Sequence, residues 1–416
     1  MKLILRKTVS GGCRLGELVD VGLQGNYKMS IPCCLTYTRG AAAPHLTKDM
    51  MGTLPEVPFG IQLTLPTLAE NQEILEDFKD GISKFSNLPE SMLFLSVQDP
   101  GTSTPSGYNE RQCASIWCPG GRMRLSPDNL ITMVKCIQPD WFESLYDGDQ
   151  TAIRSSRKRT VKSVDRTLNF LDAVLNAKQN SQELKDTQVF GVIEGGDISD
   201  ERLRSVRETA KRPVSGFVLD GFHGDSVTSE VDKDLLLVTL AELPEDKPRI
   251  IHGSGRPDQV MQDIEAGIDI FDSAFPYVVT ERGCALTFNF NHSDPEDLDN
   301  SQQTTCHEEF SQQSPTVTNN RQNGVNSLCK TDYEIDLNDQ RYKEDMTSLV
   351  SGCQCYCCKN HTKAYIHHLL MTKELLARVL LMLHNFHHYF LFFQEIRDSL
   401  NEDRFQALKA RIMLLR

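Results

Sequence analysis

The sequence is short of positive charge for a chain of its length. Its 44 Lys and Arg residues face 57 Asp and Glu residues, which gives a formal net charge of −13. A chain this acidic is not a protein coated with basic side chains for general nucleic-acid binding. Any contact with RNA must therefore come from a local basic patch. The 416 residues, 39% of them hydrophobic, are nevertheless enough to bury a large core.

The sequence also lacks a long uninterrupted apolar run. The best candidate for a membrane span is the stretch from Leu375 to Phe393. Its polar positions are Arg378, His384, Asn385, His387 and His388. These groups favour a buried helix over a membrane span. The first residues are too short an apolar stretch for a signal peptide, so we expect an intracellular, reducing compartment in which most of the 13 cysteines stay free.

Four of those cysteines stand close together, at Cys353, Cys355, Cys357 and Cys358. Cys-x-Cys-x-x-Cys brings three thiolates onto one ion from a tight turn, and a tetrahedral zinc ion then needs a fourth ligand. His384, which follows on a helical stretch, is our candidate for that ligand. We therefore predict one structural zinc ion held by Cys353, Cys355, Cys358 and His384. A sulfur-only site that uses Cys357 and a cluster of buried or redox-active cysteines are the alternatives.

The return of His384 to the cysteines requires a turn in the helical stretch from about 363 to 400. The segment Met371-Thr-Lys-Glu374 offers one. We expect Thr372 to be the N-cap of a second helix that begins near Lys373, because threonine side chains commonly accept the first free N–H groups of a helix.

Continuous apolar strands alternate with helices from residue 188 onward. The strands are expected at 189–193, 216–219, 249–252 and 268–271. This alternation indicates buried parallel strands joined by right-handed crossovers. A spacing of about 27 residues suits a (β/α)8 barrel, and a doubly wound open sheet fits the periodicity nearly as well.

Four titratable residues follow these strands, namely Glu194, Asp220, His252 and Asp272. Because the carboxyl ends of parallel strands meet on one face, three carboxylates there are candidates for catalysis. Capping of helices and loops is the equally common alternative for each of them. A second candidate patch is the basic cluster from Arg154 to Arg166, which could contact phosphate or could simply be a solvated helix start.

The segment Gly267-Ile-Asp-Ile-Phe-Asp272, the three cysteines and the pair His384-Asn385 together resemble the tRNA-guanine transglycosylase family. The resemblance implies an irregular (β/α)8 TIM barrel with a zinc-binding subdomain near the C-terminus. It also implies exchange of guanine for queuine at the wobble position of tRNAs with GUN anticodons, with an aspartate as the covalent nucleophile. Asp272 stands at the position of that nucleophile.

The sequence departs from the active members of the family around the expected base pocket. Phe275-Pro-Tyr-Val278 replaces a Pro-Thr-Arg stretch, Glu194-Gly195-Gly196 replaces Gln-Gly-Gly, and Asp220-Gly221 replaces Gly-Gly. Asp220 adds a side chain and a charge where a flat base should lie. The nearest counterpart of a second catalytic aspartate is Asp99, which Pro100 follows. We therefore expect no catalysis, and we expect Asp272 to be inactive.

The resemblance implies a non-catalytic subunit that forms a heterodimer with a catalytic subunit and helps to position tRNA. It also implies a cytoplasmic protein with peripheral association at the mitochondrial outer membrane, and a homodimer is a further possibility. An active transglycosylase that uses Asp272 and a zinc-stabilised RNA-binding protein are the two alternatives.

Three parts of the chain are expected. We expect the barrel and its β-rich beginning in 1–290, a disordered insertion in 291–331, and the zinc-binding subdomain in 332–416 with the C-terminal helices that complete the barrel. The insertion is rich in Asn, Gln and Ser and has too little apolar surface to offset the entropy of ordering it. Cys306 and Cys329, which fall in it, are expected to have no structural role.

Overall fold

The computed structural model describes residues 1–8, 12–23, 25, 27–88, 91–105, 108–148, 156–222, 232–290 and 331–415. The expected insertion, with Cys306 and Cys329, therefore lies outside the described residues except for Thr331, and so does Arg154 of the basic cluster.

The described chain forms strands and helices in the following order. The strands are β1 Lys2–Thr8, β2 Arg14–Val21, β3 Tyr27–Ile31, β4 Cys33–Tyr37, β5 Gly60–Thr64, β6 Met92–Ser96, β7 Ala114–Cys118, β8 Gly121–Leu125, β9 Trp141–Glu143, β10 Gln188–Ile193, β11 Gly216–Leu219, β12 Arg249–Ile251, β13 Ile270–Asp272, β14 Cys284–Leu286 and β15 Glu334–Asp336. The α-helices are α1 Lys48–Met51, α2 Leu65–Leu68, α3 Gln72–Phe78, α4 Gly81–Phe85, α5 Pro127–Ile137, α6 Arg157–Gln179, α7 Ser199–Ala210, α8 Lys233–Ala241, α9 Pro257–Ala266, α10 Ala274–Glu281, α11 Tyr356–Asn360, α12 Lys363–Met371, α13 Leu375–Asn401 and α14 Phe405–Met413.

A closed barrel of parallel strands forms the centre of the fold. Its order around the barrel is β4, β5, β6, β9, β10, β11, β12 and β13, and β13 pairs back with β4 through Ile270 and Cys33. The side chains of β4, β5 and β6 are all buried, as expected for parallel strands that helices cover on the outside and side chains fill on the inside. The predicted barrel is confirmed, and the open doubly wound sheet is excluded.

The barrel is irregular between its third and fourth strands. A hairpin of β7 and β8 and the helix α5 both lie between β6 and β9. The side chain of Ser126 caps α5 by accepting the N–H of Asn129. The hairpin and this helix start are both as the sequence predicts.

An antiparallel sheet of β1, β2 and β3 precedes the barrel. Arg14 at the start of β2 donates to the carbonyl oxygen of Glu245 at 2.7 Å and to that of Lys247 at 3.3 Å. Both carbonyls come just before β12. This sheet therefore contacts the barrel at the N-terminal ends of its strands, opposite the end at which Asp272 lies.

The helix α13 is the longest element, and most of its central residues are buried. It packs against α10, α11, α12 and β14 and also touches β4. The stretch from Leu375 to Phe393 is thus a core helix, as the polar positions within it predict. In the described part of the chain, no helix has the length and apolar character needed to span a bilayer.

The break between α12 and α13 lies where the sequence predicts it, but the role expected of Thr372 was wrong. Thr372 is the C-cap of α12, and its hydroxyl donates to the carbonyl of His368 at 3.0 Å. Lys373 then takes a left-handed conformation with φ of 59°, and α13 begins only at Leu375. Threonine can satisfy either end of a helix, because its hydroxyl both accepts and donates.

Candidate functional site

The cysteine segment forms a tight turn that begins a short helix. Cys355 is the N-cap of α11, and its sulfur accepts the N–H of Cys358 at 3.3 Å. This contact brings Cys358 close to Cys355. A cysteine thiolate fills the place that serine or aspartate commonly takes at a helix start.

His384 on α13 meets this turn. Its Nδ1 atom lies 3.8 Å from the sulfur of Cys353, 3.5 Å from that of Cys355 and 3.4 Å from that of Cys358. The four atoms lie within 4.8 Å of one another. A tetrahedral zinc ion with bonds of about 2.3 Å to sulfur and about 2.0 Å to nitrogen requires separations of this size. These four residues could therefore hold a metal ion, and four protein ligands would leave no position for a reacting water.

The orientation of His384 is set by a partner far away in the sequence. Its Nε2 atom lies 2.8 Å from the carbonyl oxygen of Leu286 in β14. A carbonyl can only accept, so Nε2 carries the proton and Nδ1 presents its lone pair to the sulfurs. A histidine that ligates a metal usually has such a second contact, which fixes its tautomer.

Asn385, the next residue on α13, holds the same strand in place. Its Oδ1 accepts the N–H of Leu286 at 2.8 Å, and its Nδ2 donates to the hydroxyl of Thr280 and to the carbonyl of Cys284. The family resemblance points to the pair His384-Asn385, but no local sequence pattern predicts its partners in β14.

Cys357 lies outside this group of four. It is fully buried, and it packs in an apolar cluster with Leu349, Leu369 and Leu381. Burial raises the pKa of its thiol above the ordinary value. The alternative in which Cys357 is a ligand has no support in this geometry, because Cys357 is not a member of the group that the fold assembles.

At the carboxyl ends of the barrel strands, Asp272 is 1% exposed and both of its carboxylate oxygens are occupied. Oδ2 accepts the N–H of Gly253 at 2.8 Å, and Oδ1 accepts the N–H of Ala274 at 2.9 Å. His252 places its Nδ1 atom 3.7 Å from Oδ2. The carboxylate thus fastens β13 to the loop after β12.

His252 lies between two carboxylates, Asp272 and Glu143 at the end of β9, whose oxygen contacts the Nε2 atom of His252. Burial lowers the pKa of His252, but Glu143 and Asp272 outweigh it and raise that pKa to about 10. The partly buried ring is therefore charged at neutral pH. Sequence reasoning missed Glu143, because β9 has three residues and no apolar run long enough to mark it as a strand.

Glu194 and Asp220 come together at the ends of β10 and β11. Burial and then the nearby Asp220 raise the pKa of Glu194 well above its ordinary value. Arg202 on α7 passes beneath both loops and donates to the backbone carbonyls of Ile193 and Asp220 at 2.9 and 2.6 Å. Two acidic side chains and a buried guanidinium therefore lie side by side at the ends of these two strands.

Asp99, the nearest counterpart of a second catalytic aspartate, is also held by the protein. Its Oδ1 accepts the hydroxyl of Tyr37 at 2.6 Å and the N–H of Gly101 at 2.9 Å, and its Oδ2 accepts the hydroxyl of Thr102. Burial and then Asp99 raise the pKa of Tyr37, so that its hydroxyl stays a neutral donor. Asp99 thus serves as the anchor of its own loop.

Part of the basic cluster is used inside the protein. Arg159 and Arg166 on α6 both bind the fully buried carboxylate of Asp147, at 2.6 and 2.9 Å. Arg157 is exposed and lies 3.6 Å from the exposed Asp200. The described part of the cluster is therefore a helix start with internal ion pairs, and whether it contacts phosphate stays a prediction.

Comparison with known proteins agrees with this geometry. A family model described as queuine tRNA-ribosyltransferase matches residues 10–415. A Xenopus laevis protein named queuine tRNA-ribosyltransferase accessory subunit 2 is 48% identical, over 98% of this chain and 98% of its own. Proteins of the same name from Homo sapiens and Danio rerio are 48% and 46% identical, over 98% and 99% of both chains.

Proposed function

The chain belongs to the queuine tRNA-ribosyltransferase family, and from that membership we propose that it acts as the non-catalytic accessory subunit of the enzyme that exchanges guanine for queuine in tRNA. Its similar relatives carry the name of that subunit. The observation that carries the proposal is that Asp272, at the position of the family's nucleophile, is buried and accepts two backbone N–H groups.

A covalent nucleophile must present a free lone pair to its target at about 3–3.5 Å. Asp272 is buried, and its oxygens already accept N–H groups from Gly253 and Ala274. Attack on a ribose would turn one carboxylate oxygen into an ester oxygen, which would weaken its N–H contact and leave Glu143 alone to compensate the charge of His252. A charge-assisted contact of this kind stabilises the resting state. The geometry favours an aspartate that supports the fold.

The surroundings of Asp272 point the same way. Glu194 and Asp220 occupy the loops that carry Gln and Gly in active members, and a carboxyl pair is a poor surface on which to stack a neutral base. Arg202 ties both loops together through their backbone carbonyls. The loops that follow β10 and β11 thus present carboxyl groups, and a buried guanidinium holds their backbone.

Within this proposal, the chain pairs with a catalytic subunit as a heterodimer and helps to position tRNAs with GUN anticodons for exchange at the wobble base. The relatives' designation as accessory subunits supports a catalytic partner. A homodimer of this chain would be an alternative assembly, and mass measurement of the chain with and without a catalytic homologue distinguishes the two.

We propose zinc as the ion of the four-residue group. Three thiolates and one imidazole are a donor set of structural zinc sites, and the carbonyl of Leu286 holds the ring of His384 in the orientation that a ligand needs. Zinc bound there would hold the turn at Cys353–Cys358 against α13, and it would take no part in chemistry.

For location, we propose a cytoplasmic protein that associates peripherally with the outer mitochondrial membrane. The only support for this is the family resemblance. Fractionation of cells that express the tagged chain tests it, because a salt-extractable mitochondrial fraction is expected, and its absence would contradict the membrane part.

A base-exchange assay tests the proposed function. The purified chain alone should not incorporate labelled guanine into tRNA, and addition of a catalytic homologue should give an activity well above that of either protein alone. Incorporation by this chain alone would make it an active transglycosylase. Tight tRNA binding without any effect on a catalytic homologue would favour a separate RNA-binding protein.

A further inference from the structure

A cavity lies at the opposite end of the barrel from Asp272, between β2, α8 and the start of β12. Its volume is about 300 Å³. Apolar side chains form much of its wall, with Leu237 and Leu240 from α8, Leu243 from the loop that follows, and Ala266 from the end of α9. The two basic residues in its wall are Arg14 and Arg249. A site of this size is at the lower limit of small-molecule pockets.

Arg14 is 4% exposed but only partly paired. Its Nη2 atom donates to the carbonyls of Glu245 and Lys247. Its Nε atom lies 3.3 Å from Asp269 Oδ1, without the alignment of a hydrogen bond. Its Nη1 atom has no hydrogen-bond partner among the residues that the structure describes. A buried guanidinium N–H without an acceptor from the protein is costly, so this N–H is available to a water molecule or to a ligand in the cavity.

Arg249 repeats this pattern beside Arg14. It is 7% exposed, and its Nη1 and Nη2 atoms each reach a backbone carbonyl at 3.3 Å. Its Nε atom, like Arg14 Nη1, finds no acceptor in the described ranges of the chain. Burial and then the neighbouring Arg14 lower the pKa of Arg249 to about 10, which still leaves it charged at neutral pH.

The charges around the cavity leave one positive charge for a ligand. Asp269 is buried beside both arginines, and its Oδ2 accepts the backbone N–H of Arg249 at 2.8 Å. Asp269 thus compensates one guanidinium. Glu245 also lines the cavity, but its side chain is exposed at the rim, where water and salt weaken its field. A single negative charge on a ligand would balance the second guanidinium.

We propose that this cavity binds a small amphipathic carboxylate. Its two oxygens would accept from Arg14 Nη1 and Arg249 Nε, and its aliphatic chain would lie along Leu237, Leu240 and Leu243. Guanidinium groups bind carboxylates with strong charge-assisted hydrogen bonds. Inorganic phosphate fits less well, because it would bring a second charge and no apolar surface to a wall built largely of leucine and alanine.

Octanoate is the probe for this proposal, with octanamide as its neutral counterpart of similar shape. Titration of the full-length chain by calorimetry or ligand-observed NMR should show one octanoate per chain with a Kd of about 0.1–1 mM, as expected for a ligand of this size. Octanamide and inorganic phosphate should each bind at least tenfold more weakly.

Two kinds of variant locate the site. Arg14→Met should weaken octanoate binding at least tenfold. Because Arg14 also supports the loop before β12, a rim variant that spares the fold is needed as well. Leu237→Gln serves, since Leu237 is partly exposed on α8, and it should weaken binding about threefold to fivefold. Val238→Gln is the matched control, because Val238 is exposed on the same helix and does not line the cavity.

The outcomes separate clearly. Binding of octanoate that Leu237→Gln weakens and Val238→Gln leaves unchanged supports the proposal. Equal affinity for octanamide would show that the cavity binds the aliphatic chain alone and that the arginines take no part. That result would overturn the proposal. A preference for phosphate, or no binding of octanoate up to about 10 mM, would also overturn it.

Discussion

At the scale of single residues, Asp272 stands at the position of the family's nucleophile, and its carboxylate contacts two backbone N–H groups and a histidine. The sequence predicts that this aspartate stands at the end of a strand. The N–H groups that occupy its oxygens belong to Gly253 and Ala274, and the cation beside it is His252. These contacts depend on how two loops meet across the barrel, and no local pattern encodes them.

We expect Asp272→Ala to leave the exchange activity of the mixed complex within about threefold of the unmodified complex. Loss of a true covalent nucleophile costs several powers of ten in rate. The measurement is base exchange with assembly and metal content checked in parallel. A collapse of activity in an assembled, metal-loaded complex would return this chain to the class of enzymes.

The partly buried, charged ring of His252 predicts a pH dependence of stability. Its pKa is raised from 6.5 to about 10 in the folded protein. A raised pKa means that folding favours the protonated form, so its stabilisation is fully present below about pH 6.5 and is lost as the pH rises toward 10. Denaturant unfolding between pH 7 and 10 should show this decline. His252→Gln should be less stable at pH 7 and should show a flatter pH profile, and an unchanged slope would contradict the assignment.

The four-residue metal group makes a paired prediction. Cys355→Ala should lower the zinc content and the melting temperature together, because metal binding in a closed site contributes directly to folding. Cys357→Ala is the matched control, since Cys357 is a buried cysteine of the same turn outside the group. It should keep its zinc and lose only packing stability. Full zinc occupancy in Cys355→Ala would count against the ligand set.

At the scale of elements, α13 does two tasks with two consecutive residues. His384 faces the cysteines, and Asn385 bonds to Leu286, Cys284 and Thr280. The sequence predicts the helix and the break before it, since apolar periodicity and spacing mark both. It misplaces the cap, because Thr372 can bond to a helix on either side. It cannot predict β14 as a partner, because 98 residues separate His384 from Leu286.

We expect Asn385→Ala to destabilise the protein by about 3 kcal/mol, because it leaves the buried N–H of Leu286 without its acceptor and removes a donor to the carbonyl of Cys284. Urea unfolding gives the value. Gln394→Ala is the control, an amide on the same helix whose bonds to Asp398 and Arg397 stay within α13. It should cost less than about 1 kcal/mol. Equal losses for the two variants would show that the contact between Asn385 and β14 carries no special weight.

At the scale of the whole molecule, the barrel could be predicted from the sequence. The short strand β9 and the contacts between side chains distant in sequence could not. Strands such as β10 and β11 are continuous apolar runs, so their places follow from the sequence. The irregular early part, where β9 has only three residues, gives no such signal. The salt bridges of Asp147 with Arg159 and Arg166 likewise follow from tertiary packing, and they turn part of a basic cluster into internal structure.

Deletion of residues from about 295 to 328, joined by a short Gly-Ser linker, should leave the fold and partner binding intact. The two flanks already meet, because β14 pairs with β15 through Leu286 and Glu334, and Phe288 packs edge-to-face on Tyr333. Thermal melting and co-purification with a catalytic homologue measure the outcome. A large fall in melting temperature would show that the segment packs on the rest of the chain.

The position of α13 also bears on how the chain is made. All eight barrel strands precede residue 273, but Phe393 of α13 is the side chain that packs against Phe271 of β13. During synthesis, the strands can therefore close their hydrogen-bonded ring well before the helix that covers this seam leaves the ribosome. The nascent barrel carries an apolar strip in the meantime. We expect ribosome-bound chains that end before α13 to be retained by chaperones.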